Sequence, residues 1–336
     1  MVPMKLPTGN RSGKLRLDFN ENTIGCATAV LKSIREITAK QIAMYPEYES
    51  SVKCLARWFG VRPSELTISN GADGGLRQIV DTFVDSGSPV LLAEPTFPMY
   101  RFYLDIAGAR IRSIQYDADI AFPVDAAMRE LRKSPRAMFL ANPNNPTGTL
   151  LKPAAIRQMI RSAPRTLFVI DEAYYEFSGV TVLPWIRRYP NLVIVRTFSK
   201  AAGLAGMRLG CVLACPELTS LLARTFEAFA VNAAALVAAK AVTQHPVAVR
   251  NYVREIDRSR VFVAKALAVF GVRVFPSVAN FILVDFGPRG PEIVKQLARE
   301  EILLRPMNFG GPGYVRITIG TMPQMRRLLR VLKEIW

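Results

Sequence analysis

The 336 residues contain a single histidine, His245. Any mechanism that needs two imidazoles is thereby excluded, including most zinc sites and the HExxH metalloproteases. A Ser-His-Asp relay would have to use His245, and no G-x-S-x-G elbow accompanies it. Gln244-His245-Pro246 reads instead as a break between two helices. Cysteine is scarce too. Cys26, Cys54, Cys211 and Cys215 form no C-x-x-C pair and no dense framework, as expected of reduced thiols in a cytoplasmic protein. No metal site is expected. The G-x-x-x-x-G-K-[ST] and G-x-G-x-x-G signatures are both missing, which removes the main support for a P-loop NTPase or a Rossmann dinucleotide site. No uninterrupted apolar run reaches membrane-spanning length; the Ala-rich stretch 228–242 comes nearest and is broken by Asn232 and Lys240. The first residues lack the apolar core of a secretion signal.

Acidic residues are outnumbered, 27 against 44 Lys plus Arg, for a formal charge of +17. The excess is spread out, with no basic tail and no block of five or more, so it reads as a solvated exterior and not as a nucleic-acid patch. Half of the chain is hydrophobic, enough to bury a sizeable core. After a polar arm, short apolar runs alternate with helical stretches. The expected strands are Leu66–Ser69, Val90–Ala93, Ile111–Gln115, Ala137–Ala141, Leu167–Ile170, Leu192–Arg196 and Leu209–Ala214, several of them apolar at nearly every position. Helices fall between them, for example at Gly74–Val84, Pro123–Lys133 and Pro153–Ser162. This alternation predicts an α/β fold with a mostly parallel seven-stranded sheet. Pro216 to about Ala268 reads as helical with one break at His245-Pro246. The pattern then changes to strands Val272–Phe275, Phe281–Val284, Ile302–Leu304 and Tyr314–Ile319 with helices Pro291–Glu300 and Pro323–Trp336, a smaller α+β domain.

In open parallel sheets, ligands bind outside the carboxyl ends of the strands. Five strand ends here are unusual. Asn70-Gly71-Ala72-Asp73-Gly74 is a small-residue turn into a helix, whose free N–H groups would cradle a phosphate. Glu94-Pro95-Thr96-Phe97 carries an aromatic ring, and Asn142-Pro143-Asn144-Asn145-Pro146-Thr147-Gly148 is a stiff loop carrying amides. Asp171-Glu172-Ala173-Tyr174 puts a carboxylate at the mouth of an apolar strand. Thr197-Phe198-Ser199-Lys200 is followed eight residues later by Arg208. A buried lysine, a carboxylate, an aromatic plate, an amide and a phosphate cup are together what pyridoxal 5'-phosphate chemistry requires.

Asn144-Asn145-Pro146-Thr147-Gly148, Asp171-Glu172-Ala173-Tyr174, Ser199-Lys200 with Arg208, and Arg316-Ile317-Thr318-Ile319-Gly320-Thr321 resemble the class I/II, fold-type I aminotransferases. Leu17-Asp18-Phe19-Asn20-Glu21-Asn22, Met44-Tyr45-Pro46 and the Arg305-to-Arg316 pair look most like the histidinol-phosphate aminotransferase group within them. The resemblance implies an N-terminal arm and small-domain segment over residues 1–40, a large cofactor-binding domain over 41–250 and a small C-terminal domain over 251–336. It makes Lys200 the cofactor-bearing lysine and proton shuttle, and Asp171 the partner of the pyridinium nitrogen. Tyr174 and Asn145 would bond the phenolic oxygen, with Phe97 stacked on the ring. Ala72, Asp73, Thr197, Ser199 and Arg208 would hold the phosphate, joined by Tyr45 from the second subunit of a homodimer. Arg316 would bind the substrate carboxylate or its anionic equivalent, with Arg305 assisting at an anionic side group and Asn145 nearby. The implied reaction exchanges an amino group between L-histidinol phosphate and 2-oxoglutarate, giving imidazole acetol phosphate and glutamate.

Three positions depart from that pattern. Asn22-Thr23-Ile24-Gly25 stands where the group usually has Asn-Pro-Tyr/Phe-Gly, Gly74 where it usually has Glu, and Phe97 where Tyr is commoner. An aromatic or other amino acid aminotransferase and a threonine-phosphate decarboxylase share the cofactor constellation and stay open. A DNA-binding regulator on this fold would need a DNA-reading domain, and the arm before Leu17 is too short for one.

Overall fold

The computed structural model describes residues 11–336, so the first ten residues of the arm expected over 1–40 lie outside the described residues. Strand β1 is Leu15–Arg16. Seven further strands follow, β2 (Leu66–Asn70), β3 (Pro89–Glu94), β4 (Arg110–Gln115), β5 (Ala137–Ala141), β6 (Leu167–Asp171), β7 (Leu192–Thr197) and β8 (Leu209–Ala214). They form one sheet in the order β2-β8-β7-β6-β5-β3-β4. Strand β8 runs antiparallel to both its neighbours and the other pairs are parallel. Every residue of β5, β6, β7 and β8 is buried, which is why these runs are apolar throughout. Alternate residues divide between two cores. Met138, Phe168 and Ile194 face one layer, which includes the helices Pro153–Ser162 and Ala233–Gln244; Phe139, Val169 and Val193 face the other, built on the helices Gly71–Phe83 and Pro98–Ile106.

A separate core gathers around β9 (Arg273–Val274), β10 (Phe281–Asp285), β11 (Ile302–Leu303), β12 (Arg305–Pro306) and β13 (Tyr314–Thr318). The four-stranded sheet β12-β13-β10-β9 is antiparallel, and β11 pairs in parallel with β1. The amino-terminal segment thus joins the carboxy-terminal layer, with Leu15 and Leu17 in its core. The helices Pro246–Val269, Gly290–Arg299 and Met322–Ile335 supply Ile256, Val263, Ile293, Leu297, Leu328 and Leu332 to the same core.

Three features differ from the sequence reading. The helix expected from Gly74 starts at Gly71, so the small-residue turn is its first turn. Both Asp171 and Thr197 are the last residues of strands, not the first of loops. The helical run after Pro216 has a second break. The helix Pro216–Leu222 passes through a 3₁₀ turn, Ala223–Thr225, and helix resumes only at Ala233, where Asn232 Oδ1 accepts from the Ala233-helix N–H of Ala235 at 2.8 Å. Between them, Phe226 and Phe229 pack on Tyr48, Phe229 with a left-handed φ of +63°. These tertiary contacts override the local helix preference. The break at His245 lies between Ala233–Gln244 and Pro246–Val269, as read.

Beside the sheet, Arg196 of β7 and Glu172 pair at 2.6 Å, with side chains only 3% and 1% exposed. Glu172 also accepts from Thr181 Oγ1 at 2.7 Å and from the Val182 N–H at 2.8 Å, while the Arg196 guanidinium lies 3.6 Å from the Tyr175 ring centroid. The carboxylate is satisfied on both oxygens. Glu172→Ala leaves a buried guanidinium unpaired and is expected to lower unfolding free energy by about 3–5 kcal/mol in a urea titration; a loss below about 1 kcal/mol would show that the pair does not hold this layer.

Candidate active site

The carboxyl ends of β3, β5, β6 and β7 open into a cleft of about 570 Å³. One wall is the large sheet and its loops, and the other is Phe19–Glu21 with Arg305, Met307 and Arg316 of the second layer. Ala72, Asp73, Phe97, Asn145, Asp171, Tyr174, Thr197, Ser199, Lys200, Arg208, Arg305 and Arg316 all line it. Tyr45 does not. It is 77% exposed and stacks on Phe229 at 4.2 Å.

At one end of the cleft the backbone is packed more tightly than any side chain would allow. Gly71 has φ +69°, and a Cβ there would lie 2.5 Å from Arg208 Nη2. A Cβ on Gly210 would lie 2.4 Å from the Gly71 carbonyl carbon. The Gly71 N–H donates to Arg208 O at 3.0 Å, and Arg208 Nη2 donates to Asp73 Oδ2 at 2.8 Å. Thr197 Oγ1 and Ser199 Oγ lie 3.0 Å apart, and the Ser199 N–H donates to Thr197 Oγ1 at 3.1 Å. A helix start, a guanidinium and two hydroxyls therefore converge on one spot, the makings of an anion cup.

Deeper in, Asp171 is 5% exposed. Its Oδ2 accepts from Tyr100 Oη at 2.7 Å and its Oδ1 from the Ala173 N–H at 2.9 Å. Burial raises its pKa to about 6, against the lowering effect of the Tyr100 and Ala173 hydrogen bonds. Lys200 Nζ donates to the Phe19 carbonyl at 3.1 Å, and among the described residues no carboxylate pairs with it. Tyr174 Oη accepts from Asn20 Nδ2 at 3.0 Å. Phe97 and Tyr100 meet with near-perpendicular rings at 5.6 Å, Phe97 held at the start of the helix Pro98–Ile106.

The far wall is cationic. Arg316 of β13 is 8% exposed; its Nη1 donates to Asn145 Oδ1 at 2.6 Å and its Nη2 to Asp18 O at 2.5 Å, while its buried Nε has no partner among the described residues. Burial first, and Arg305 as well, lower its pKa to about 10, so it is a cation at neutral pH. Arg305 stands directly opposite Arg316 across β12 and β13 and lies over the Phe19 ring. Phe19, Asn20, Tyr100 and Met307 also belong to the site and were not singled out from the sequence. Phe19 and Asn20 lie within Leu17–Asn22, where only neighbourhood pointed to a role. Tyr100 had a weak signal, its place three residues after Phe97. Ile24, by contrast, is 61% exposed and lies outside this cleft, with Asn22 and Cys26 in a separate shallow depression.

The family model for aminotransferase class I and II matches residues 12–332. The chain belongs to that family, and it is a pyridoxal-phosphate-dependent aminotransferase of fold type I. It is 34% identical to histidinol-phosphate aminotransferase 1 of Carboxydothermus hydrogenoformans, over 96% of this chain and 93% of that protein. Its structure is similar to that of Sinorhizobium meliloti histidinol-phosphate aminotransferase in complex with pyridoxal-5'-phosphate, with a TM-score of 0.88, 27% identity and coverage of 96% and 92% of the two chains. It is also similar to the L-threonine-O-3-phosphate decarboxylase of Porphyromonas gingivalis, with a TM-score of 0.85, 29% identity and coverage of 96% and 99%.

Alanine at Gly71 would collide with the Arg208 guanidinium and strain a left-handed φ. Gly71→Ala is expected to raise the dissociation constant for pyridoxal phosphate about tenfold or more, or 1.4 kcal/mol, measured by equilibrium dialysis of the cofactor-free protein. Unchanged retention would remove the cup from the cofactor site.

Proposed function

We propose that this aminotransferase acts on L-histidinol phosphate as amino donor and 2-oxoglutarate as acceptor. The observation that carries this reading is the pair Arg305 and Arg316, side by side across two strands, the second buried with one N–H unanswered. Such a pair calls for an anionic substrate group at the side of the cleft facing Lys200. The names of the relatives, histidinol-phosphate aminotransferases over nearly the whole chain, support the same substrate.

The residues present fit pyridoxal phosphate. Only glycine fits at positions 71 and 210 beside Arg208, and Asp171 is a buried carboxylate with no cation bonded to it among the described residues. When bound, the cofactor supplies an electron sink for the bond broken at the substrate's α-carbon. Ala72 and Asp73 at the helix start, with Thr197, Ser199 and Arg208, would hold its phosphate. Asp171 would pair with its ring nitrogen, Phe97 would stack on the ring, and Tyr174 and Asn145 would bond its phenolic oxygen. Lys200 would carry it and move the proton at the substrate's α-carbon through Nζ. Arg316 would orient the substrate's anionic group, Asn145 beside it, with Arg305 assisting at that group on the donor and at the second carboxylate of 2-oxoglutarate. In this reading the large domain over 41–250 carries the cofactor. The segment 1–40 and the domain over 251–336 close the opposite side.

A homodimer belongs to the same reading. Ile42, Met44 and Tyr45 are exposed by 74%, 58% and 77%, and Phe229, stacked on Tyr45, by 49%. An apolar and aromatic surface of this kind suits a second copy of the chain, with Tyr45 reaching that copy's phosphate site. Four unpaired cysteines suit a reducing cytoplasm. The match to a threonine-phosphate decarboxylase favours testing a second substrate set.

The substrate is tested by comparing kcat/KM for histidinol phosphate, phenylalanine and O-phospho-L-threonine. Histidinol phosphate is expected to lead. A tenfold preference for phenylalanine, about 1.4 kcal/mol of transition-state discrimination, would replace the reading with an aromatic aminotransferase; carbon dioxide release from O-phospho-L-threonine would replace it with a decarboxylase. For the dimer, mixing unfolded Lys200→Ala and Tyr45→Phe chains and refolding them together should restore activity above either parent, because one site of each mixed dimer is intact. A fully active monomer in sedimentation would overturn shared sites.

A further inference from the structure

Asp171 has two oxygens and two protein donors: the Ala173 N–H on Oδ1, and Tyr100 Oη on Oδ2 at 2.7 Å. The first donor is backbone, fixed by the turn that follows β6. The second is the only side-chain hydroxyl among the described residues that reaches the carboxylate, and it comes from a different element, the helix Pro98–Ile106. Tyr100 is 1% exposed, wedged between Phe97, near-perpendicular to it at 5.6 Å, and the ring of Phe139 at 5.8 Å. The ring has little room to turn, so its hydroxyl is aimed. We propose that Tyr100 is a positioning residue: its hydroxyl fixes the plane of the Asp171 carboxylate and keeps that carboxylate charged toward the ring nitrogen of the cofactor. This rests on the assignment of Asp171 as partner of that nitrogen.

The electrostatics agree with the geometry. Burial raises the Asp171 pKa and is the largest effect on it, and the Tyr100 hydrogen bond, next in size, opposes this. The other charged groups facing Asp171 act in opposite directions. Asp73, from the helix Gly71–Phe83, raises its pKa, and Lys200, after β7, lowers it. Tyr174 follows Asp171 in its own segment, and Tyr174 and Asp73 both act on Tyr100. Tyr100 is itself driven well above the ordinary tyrosine range, so it stays a donor at every working pH. One short helix start thus places both the aromatic plate, Phe97, and the donor that orients the carboxylate. The two features of a ring site are locked in register through a single edge-on contact.

The variant is Tyr100→Phe, which keeps the ring and removes only the donor. In the cofactor-free protein, the Asp171 carboxyl followed by infrared difference spectroscopy, with Asp171→Asn as the blank, should titrate about one pH unit higher than in wild type. With cofactor, the acid limb of the kcat profile should move the same way, and the pyridoxal phosphate dissociation constant should rise several-fold. 3-Fluorotyrosine at position 100 retains a donor and should restore both. An unshifted Asp171 titration together with unchanged cofactor affinity overturns the proposal. If Asp171→Asn itself keeps normal affinity and turnover, it is the assignment of Asp171 that fails, whatever Tyr100→Phe does. Should Tyr100→Phe not fold, fluorotyrosine alone decides: its more acidic hydroxyl should lower the Asp171 titration, and no movement overturns the proposal.

Discussion

A single buried guanidinium ties the molecule together. Arg316 stands on the small antiparallel sheet, donates to Asn145 on the loop after β5, and donates to the backbone of Asp18 in the amino-terminal segment. Three parts of the chain, far apart in sequence, meet on one planar cation. Such a fork can hold two acceptors in fixed directions, which a lysine ammonium cannot do. The cleft lies between the two layers that this guanidinium bridges, with residues facing into it from each side. Arg11, paired with Asp18 through both oxygens and lying 4.2 Å over the Phe19 ring, extends the same tie toward the mouth.

Within the cleft, the adjacent acids Asp171 and Glu172 show how environment divides identical chemistry. Both are buried at the end of β6 and point to opposite sides of the chain. Glu172 meets the Arg196 guanidinium and has donors on both oxygens; it is structural, and removing its partner would leave a buried charge. Asp171 meets a phenol and an N–H, neither of them charged, and keeps a proton affinity far above an ordinary carboxyl. A carboxylate left without a cation in an apolar surrounding is costly, and that cost is the physical mark of a site prepared for a cation from outside the chain.

Much of this was readable from the residues. Strands apolar at every position announced a sheet covered on both faces, and the polar residues just beyond them turned out to share one cleft. What the residues alone do not carry is why Asp171 and not Glu172 faces the cleft: the family resemblance picks Asp171, but the partners that divide the two acids, Tyr100 and Arg196, lie some 70 residues upstream and 25 downstream of Asp171. The break over 226–232 was hidden for a similar reason, since Phe226 and Phe229 leave the helix to meet Tyr48, a contact no local pattern records. Gly71 was read as part of a turn because glycine usually marks one. Here its role is to open a helix against the Arg208 guanidinium with nothing in between.

The two ends of the cleft are built with different tolerance. At the end that holds the anion cup, a methyl on Gly210 would run into the backbone of Gly71 and Ala72 and require the main chain to move, while one on Gly71 would displace the Arg208 guanidinium and strain a left-handed φ. At the mouth, Arg305 and Pro306 form a two-residue strand exposed at both positions, with Met307 beyond it. Side chains there can change length, charge or shape without disturbing a core. The rigid end is the one suited to a constant group, and the loose end to one that varies among substrates. Fold and cofactor chemistry can therefore stay fixed while substrate preference moves, which is why relatives with an aminotransferase name and one with a decarboxylase name superpose on this chain almost equally well.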